Sequence, residues 1–126
     1  MSTVELTKET FQDTLQGDDP VIIDFWAPWC GPCKTFEPIF EETAGEHTDV
    51  TFAKVNTEDE KELAGALGIR SVPTLMVFRE QILLFSQAGA LTKSQLQELV
   101  TQVKAVDMEK VHAEIAEQQA QADDSN

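Results

Sequence analysis

Two cysteines three residues apart, Cys30 and Cys33, lie between a short apolar run and a stretch of helical spacing, and this juxtaposition narrows the folds open to the chain more than any other feature. The run before them, Val21-Ile22-Ile23-Asp24-Phe25-Trp26, is β-branched and aromatic. It is bounded by Asp18-Asp19-Pro20 and Ala27-Pro28 and reads as a buried strand. Residues 33–47 read as the helix that follows. Residues 51–56, 74–79 and 82–85 are similar strand-like runs, and the last two form a hairpin pattern because only Glu80-Gln81 separates them. Helical spacing recurs at residues 8–16, 60–67 and from Thr92 onward, where Leu96, Leu99, Val100 and Val103 make one apolar stripe. With one more short strand near residues 4–6, the order is β-α-β-α-β-α-β-β-α. That order implies an α/β fold with a sheet parallel at first and antiparallel at the hairpin, covered by helices on both faces. Residues 82–85 do not alternate, as expected of a covered strand.

A chain of 126 residues is one domain's worth. No apolar stretch approaches the about 20 residues needed to span a bilayer. The opening Met1-Ser2-Thr3-Val4-Glu5-Leu6 lacks a basic and an apolar leader region, so a cytoplasmic location is expected, although an exported form cut earlier would read the same. Nine basic against twenty-three acidic residues leave a net charge of −14, and the basic ones are scattered. That sign repels phosphate backbones and anionic lipid, so neither nucleic acid nor membrane is expected among the partners. Residues 107–126 stand apart in composition, with six acids, one lysine and a net charge of −5. Met108, Val111 and Ile115 keep a thin helical spacing there. The chain therefore divides into a domain over 1–106 and an acidic extension over 107–126. The extension is either a helix continuation fraying into a solvated, disordered end or a partner-binding helix.

Two close cysteines suggest redox chemistry or half of a metal site. A structural zinc site takes four ligands, and only His47 and His112 remain as further soft ones, without paired spacing, so no metal is expected. At a helix start, unpaired N–H groups and the dipole favour an anion, so the Cys30 sulfur should ionise more readily than a free thiol and act as nucleophile. Cys33, one helical turn on, is in reach to close a disulfide with it, and Pro32 stiffens the turn. Asp24 and Lys54 each interrupt an apolar strand. A buried acid has a raised pKa unless paired, which suits Asp24 to move a proton to or from Cys33, with Lys54 modulating it from the neighbouring strand. The competing reading is a structural ion pair, or a lysine reaching out to water. A cis Val72–Pro73 bond would turn the chain sharply and leave the Val72 backbone free for an extended peptide, but the sequence leaves cis and trans both open.

These motifs together resemble the thioredoxin family. Phe25-Trp26-Ala27-Pro28-Trp29-Cys30-Gly31-Pro32-Cys33-Lys34 is similar to its active-site stretch almost letter for letter. Asp24 falls at its buried acid and Ala53-Lys54-Val55-Asn56 at its third-strand lysine. Gly68-Ile69-Arg70-Ser71-Val72-Pro73-Thr74-Leu75 falls at its cis-proline loop and Gly89-Ala90-Leu91 at its glycine turn, so that the likeness runs over residues 4–106 in one register. The resemblance implies the thioredoxin fold, a five-stranded mixed sheet of order 1-3-2-4-5 flanked by four helices, two on each face. It implies a dithiol–disulfide oxidoreductase with no bound cofactor beyond a redox-active Cys30–Cys33 disulfide, acting as a monomer and recharged by thioredoxin reductase and NADPH. Its clients would be of the ribonucleotide reductase, peroxiredoxin and methionine sulfoxide reductase type. Cys30 would attack, Cys33 resolve and Asp24 relay protons. Trp29, Gly31, Pro32, Ser71, Val72, Pro73, Gly89 and Ala90 would form the docking surface.

Three features depart from the family pattern. Ser71 stands where glycine is common and adds a hydroxyl at the docking site. Glu80-Gln81 replaces the frequent Asn-Gly of the hairpin turn, although neither residue favours positive φ, which leaves the turn type open. Residues 107–126 are additional. Besides a general reductase, two functions remain open: a reductase dedicated to one partner, and a non-enzymatic binding module in which the extension docks a partner.

Overall fold

The computed structural model describes residues 2–124. In chain order the elements are β1 (Thr3–Glu5), α1 (Lys8–Leu15), β2 (Val21–Trp26), α2 (Gly31–Glu46), β3 (Thr51–Asn56), α3 (Lys61–Ala66), β4 (Thr74–Arg79), β5 (Ile82–Ala88), α4 (Lys93–Ala105) and α5 (Met108–Asp124). The strands form one sheet of order β1-β3-β2-β4-β5. β1 and β2 run parallel to β3, whereas β4 is antiparallel to both β2 and β5. This is the expected thioredoxin fold, with a fifth helix beyond the four implied by the family pattern.

Because side chains alternate across a strand, β2 feeds two cores. Ile22 joins Phe36, Phe40, Phe52, Leu75, Leu96 and Val100 on the side of α2 and α4. Ile23 and Phe25 join Phe11, Leu15, Val55, Leu63 and Met76 on the side of α1 and α3. Asp24 shares the parity of Ile22 and Trp26, so its carboxyl enters the α2 side of the sheet. Register then aligns Glu5, Lys54, Asp24 and Leu75 in one row across four strands.

Local outcomes differ from the sequence reading at β1, α2 and β5, and the hairpin turn that the sequence left open takes a definite form. β1 lies one residue earlier than expected. α2 begins at Gly31, because Cys30 itself is the N-cap. β5 is one of the two edge strands and runs on to Ala88; Leu83 and residues 86–88 are exposed, so its unalternating start does not mark a covered strand. The hairpin turn places both Glu80 (φ 52°) and Gln81 (φ 65°) in the left-handed region, the primed geometry that matches strand twist, in spite of their side chains.

The extension is not a run-on of α4. Val106 (φ −61°, ψ 131°) breaks the helix, and Arg79 Nη1 donates to the carbonyl oxygens of Val103 (2.9 Å) and Val106 (3.1 Å). Asp107 Oδ1 then accepts the Lys110 N–H (3.1 Å), a side-chain cap that starts α5 afresh. Met108 is buried, Val111 and Ile115 are half-buried, and His112 Nε2 donates to Glu80 Oε1 in the hairpin turn (2.8 Å).

Candidate functional site

Cys30 and Cys33 are joined as a disulfide, with Cα atoms 5.2 Å apart. Both are buried in a small cluster with Ala27, against which Trp26 and Val72 pack. Their surroundings differ. Cys30 caps α2, its sulfur accepting the Cys33 backbone N–H over 3.1 Å, where the orphan donors and dipole of a 16-residue helix favour negative charge. The same sulfur lies 3.6 Å from the Val72 carbonyl oxygen, in the loop containing the cis Val72–Pro73 bond. Cys33 instead borders a cleft of about 240 Å³ lined also by Asp24, Trp26, Ala27, Pro28, Lys34, Glu37 and Lys54.

Asp24 is 1% exposed, and its Oδ1 has no hydrogen-bond partner among the described residues. Burial pushes its pKa from 3.8 up to about 7; Lys54 opposes that rise, while Glu37 and Glu5 add to it. Glu5, at the far end of the same row, is also raised, first by burial and against the pull of Lys54. Lys54 is buried, with its Nζ 5.0 Å from the Trp26 ring centroid and 3.5 Å from Glu37 Oε1. Sequence reasoning brought out Asp24 and Lys54 but missed Glu37. Its signal was present: Glu37 follows Cys33 by four residues and shares its helix face.

The residues expected to dock a client gather around the disulfide. Trp29 is 68% exposed and its Nε1 donates to Glu58 Oε1, a partner twenty-nine residues away that no local pattern announces. Trp29, Ser71 and Val72 line a shallow cleft with Thr57, Ile69 and Arg70. The Gly89 N–H donates to the Pro73 carbonyl (2.8 Å), which brings Gly89 and Ala90 beside the proline loop. Gly89 has φ 103°, a conformation that excludes a side chain in practice. Gly31 and Pro32 are exposed at the start of α2. The histidines are elsewhere: His47 Nε2 donates to Gln97 Oε1 (2.7 Å) beyond the end of α2, and His112 lies on α5. Among the described residues, no group of three or more His, Cys, Asp or Glu side chains is arranged to hold a metal ion, and no helix is long and apolar enough to cross a membrane.

Comparison with known proteins agrees with this geometry. The thioredoxin family model matches residues 2–102. A Streptomyces coelicolor protein whose given name includes "thioredoxin 2" is 52% identical over 121 residues, covering 96% of this chain and 90% of that protein. A likeness of that length must run into residues 107–126. Thioredoxin 1 of Synechococcus elongatus is 43% identical over 93 residues, covering 72% of this chain and 87% of its own. Among solved structures, spinach chloroplast thioredoxin f (short form) superposes with a TM-score of 0.75 at 36% identity, covering 82% of this chain and 96% of its own. Malassezia sympodialis thioredoxin gives 0.72 at 35% identity, with 79% and 89% covered. A buried pair of cysteines, one capping a helix and one facing a buried acid, carried on this sheet and matched over four-fifths of the chain, makes this protein a member of the thioredoxin family, a disulfide oxidoreductase whose redox group is Cys30–Cys33.

Proposed function

We propose that this chain is a general protein-disulfide reductase, recharged by thioredoxin reductase with electrons from NADPH. The observation that carries this reading is the unequal setting of the two sulfurs, Cys30 at the helix N-cap and Cys33 on the Asp24 cleft. In the dithiol form, the Cys30 thiolate attacks one sulfur of a client disulfide. The client's S–S bond breaks, its other sulfur leaves as a thiolate and takes a proton, and a Cys30–client mixed disulfide forms. The Cys33 thiol then gives its proton to the Asp24 carboxylate and attacks the Cys30 sulfur. The second client sulfur departs as a thiolate and takes a proton, and the Cys30–Cys33 disulfide carries away the two-electron oxidation. Lys54 adjusts the charge on Asp24, as two charges held in one buried row must influence each other.

Trp29, Gly31, Pro32, Ser71, Val72, Pro73, Gly89 and Ala90 form the docking surface in this proposal. It is mostly apolar, with the exposed Trp29 ring at one side and the Val72 carbonyl beside Cys30. Such a surface suits loose binding of many clients, of the ribonucleotide reductase, peroxiredoxin and methionine sulfoxide reductase type, by a monomer working in the cytoplasm. Residues 1–106 are the catalytic part and 107–126 an appended one.

The test is NADPH oxidation when this protein couples a bacterial thioredoxin reductase to the reduction of insulin. Rapid turnover, lost on Cys30→Ser, is the expected result. No turnover from a Cys30–Cys33 bond that dithiothreitol can reduce would overturn the general reductase in favour of a partner-dedicated reductant or a binding module.

A further inference from the structure

Asp24 and Lys54 are register partners on β2 and β3, yet among the described ion pairs the Lys54 ammonium is matched with Glu37. Glu37 reaches it from α2, one helical turn beyond Cys33, so this carboxylate, the lysine and the resolving cysteine line a single cleft with Asp24. A lysine beside a buried carboxyl would ordinarily stabilise its ionised form. Here the ammonium is also held by the Trp26 ring at 5.0 Å and by Glu37 at 3.5 Å. We propose that Glu37 is a positioning residue for proton transfer at Cys33, acting by drawing the Lys54 ammonium onto itself and away from Asp24. This inference rests on the reading of Asp24 as the proton acceptor in resolution.

The groups facing Asp24 leave few other sources for such control. β1 contributes Glu5, β3 contributes Lys54, and α2 contributes Glu37 and Lys34 along with Cys33, whereas the β4 register partner is the uncharged Leu75. Lys54 is the cation that acts on Asp24 against burial, and three carboxyls share it. Glu37 is the one of the three that forms a described ion pair with Lys54, and with its side chain 52% exposed it can, unlike buried Asp24, change partner or be neutralised without disturbing the core; Glu5 is exposed too but makes no described ion pair with the lysine. The consequence is a base that accepts a proton readily once ionised but ionises only when the solution approaches neutrality. Removing the Glu37 charge frees Lys54 for Asp24 and makes Asp24 an anion at lower pH.

The test follows the carboxyl carbon of Asp24 by NMR through a pH titration of the oxidised protein, in the parent, E37Q, K54M and E37Q/K54M. In parallel, rapid mixing measures the rate of mixed-disulfide resolution against pH. E37Q is expected to lower the midpoint of the Asp24 titration, and with it the acid limb of the resolution rate, by about half a pH unit. In the K54M background the same substitution should move the titration by clearly less. An unmoved titration in E37Q, or a shift of equal size with and without Lys54, overturns the proposal. If D24N leaves the pH profile of resolution unchanged, the role of Asp24 itself fails, and that outcome is separate because the titration still reads the Glu37–Lys54 coupling.

Discussion

Cys33 donates its backbone N–H to the sulfur of Cys30 over 3.1 Å, so the first cysteine is held at the positive end of α2 by the residue that, in the proposed reaction, later displaces its client. A donor aimed at sulfur stabilises its charged form once the disulfide is opened, which favours Cys30 as the thiolate, and among the described residues no backbone N–H caps the Cys33 sulfur in the same way. The two cysteines are therefore not interchangeable. Cys33→Ser should stop the reaction at the mixed disulfide and accumulate a covalent adduct with an oxidised client, visible by non-reducing electrophoresis and intact mass. Cys30→Ser should form little. Equal adducts through either cysteine would contradict the division of roles.

Asp24 makes stability depend on pH in a calculable direction. Its folded-state pKa is about 7 against an ordinary 3.8, so between these values the folded chain keeps a proton that the unfolded chain has lost, and stability falls as pH rises. Asp24→Asn removes that loss. The variant should be more stable than the parent at mildly alkaline pH by up to about 4 kcal/mol, and the gain should shrink as the solution is acidified through this window. Urea unfolding of the oxidised protein at several pH values measures it, and a gain independent of pH would point to packing instead.

At the hairpin, Gln81 adopts φ 65°, where a Cβ is a burden, while the neighbouring Glu80 carboxylate accepts a hydrogen bond from His112. Gln81→Gly should relieve the first without touching the second. We expect about 0.5–1 kcal/mol of added stability, part of the relief being offset by the greater freedom of glycine in the unfolded chain. Insulin reduction should be unaffected, since the turn lies at the opposite end of β4 from the proline loop.

Ending the chain after Val106 removes α5 with its buried Met108 and the His112 contact, but leaves the Val103, Lys104 and Val106 carbonyls that Arg79 engages. Disulfide reduction should persist, with a loss of about 2 kcal/mol in stability from the lost burial. Reduced turnover in the truncated chain, at a temperature where it is fully folded, would bring the extension into the catalytic reading.

Most of this protein was legible in the order of its residues. Buried strands and amphipathic helices need opposite periodicities, so the α/β alternation, the helix after Trp29 and the hairpin could be read from spacing, and Asp24 stood out as an acid in an apolar run. Spacing also placed Glu37 on the face of Cys33, but a surface-looking acid on a helix is unremarkable until something buried lies beneath it. What only the tertiary structure decided is partnership. Sheet register aligned Glu5, Lys54 and Asp24 in one row, and the packing of α2 over that row brought Glu37 to the lysine. The primed turn at Glu80-Gln81 was likewise imposed by the twist of β4 and β5 against local preference, and the end of α4 is held by Arg79 reaching it from another element. The sequence alone determined which groups carry charge and which seek burial; which charge answers which was set by long-range packing, because an ion pair in a low-dielectric site depends on ångström distances between elements far apart in the chain.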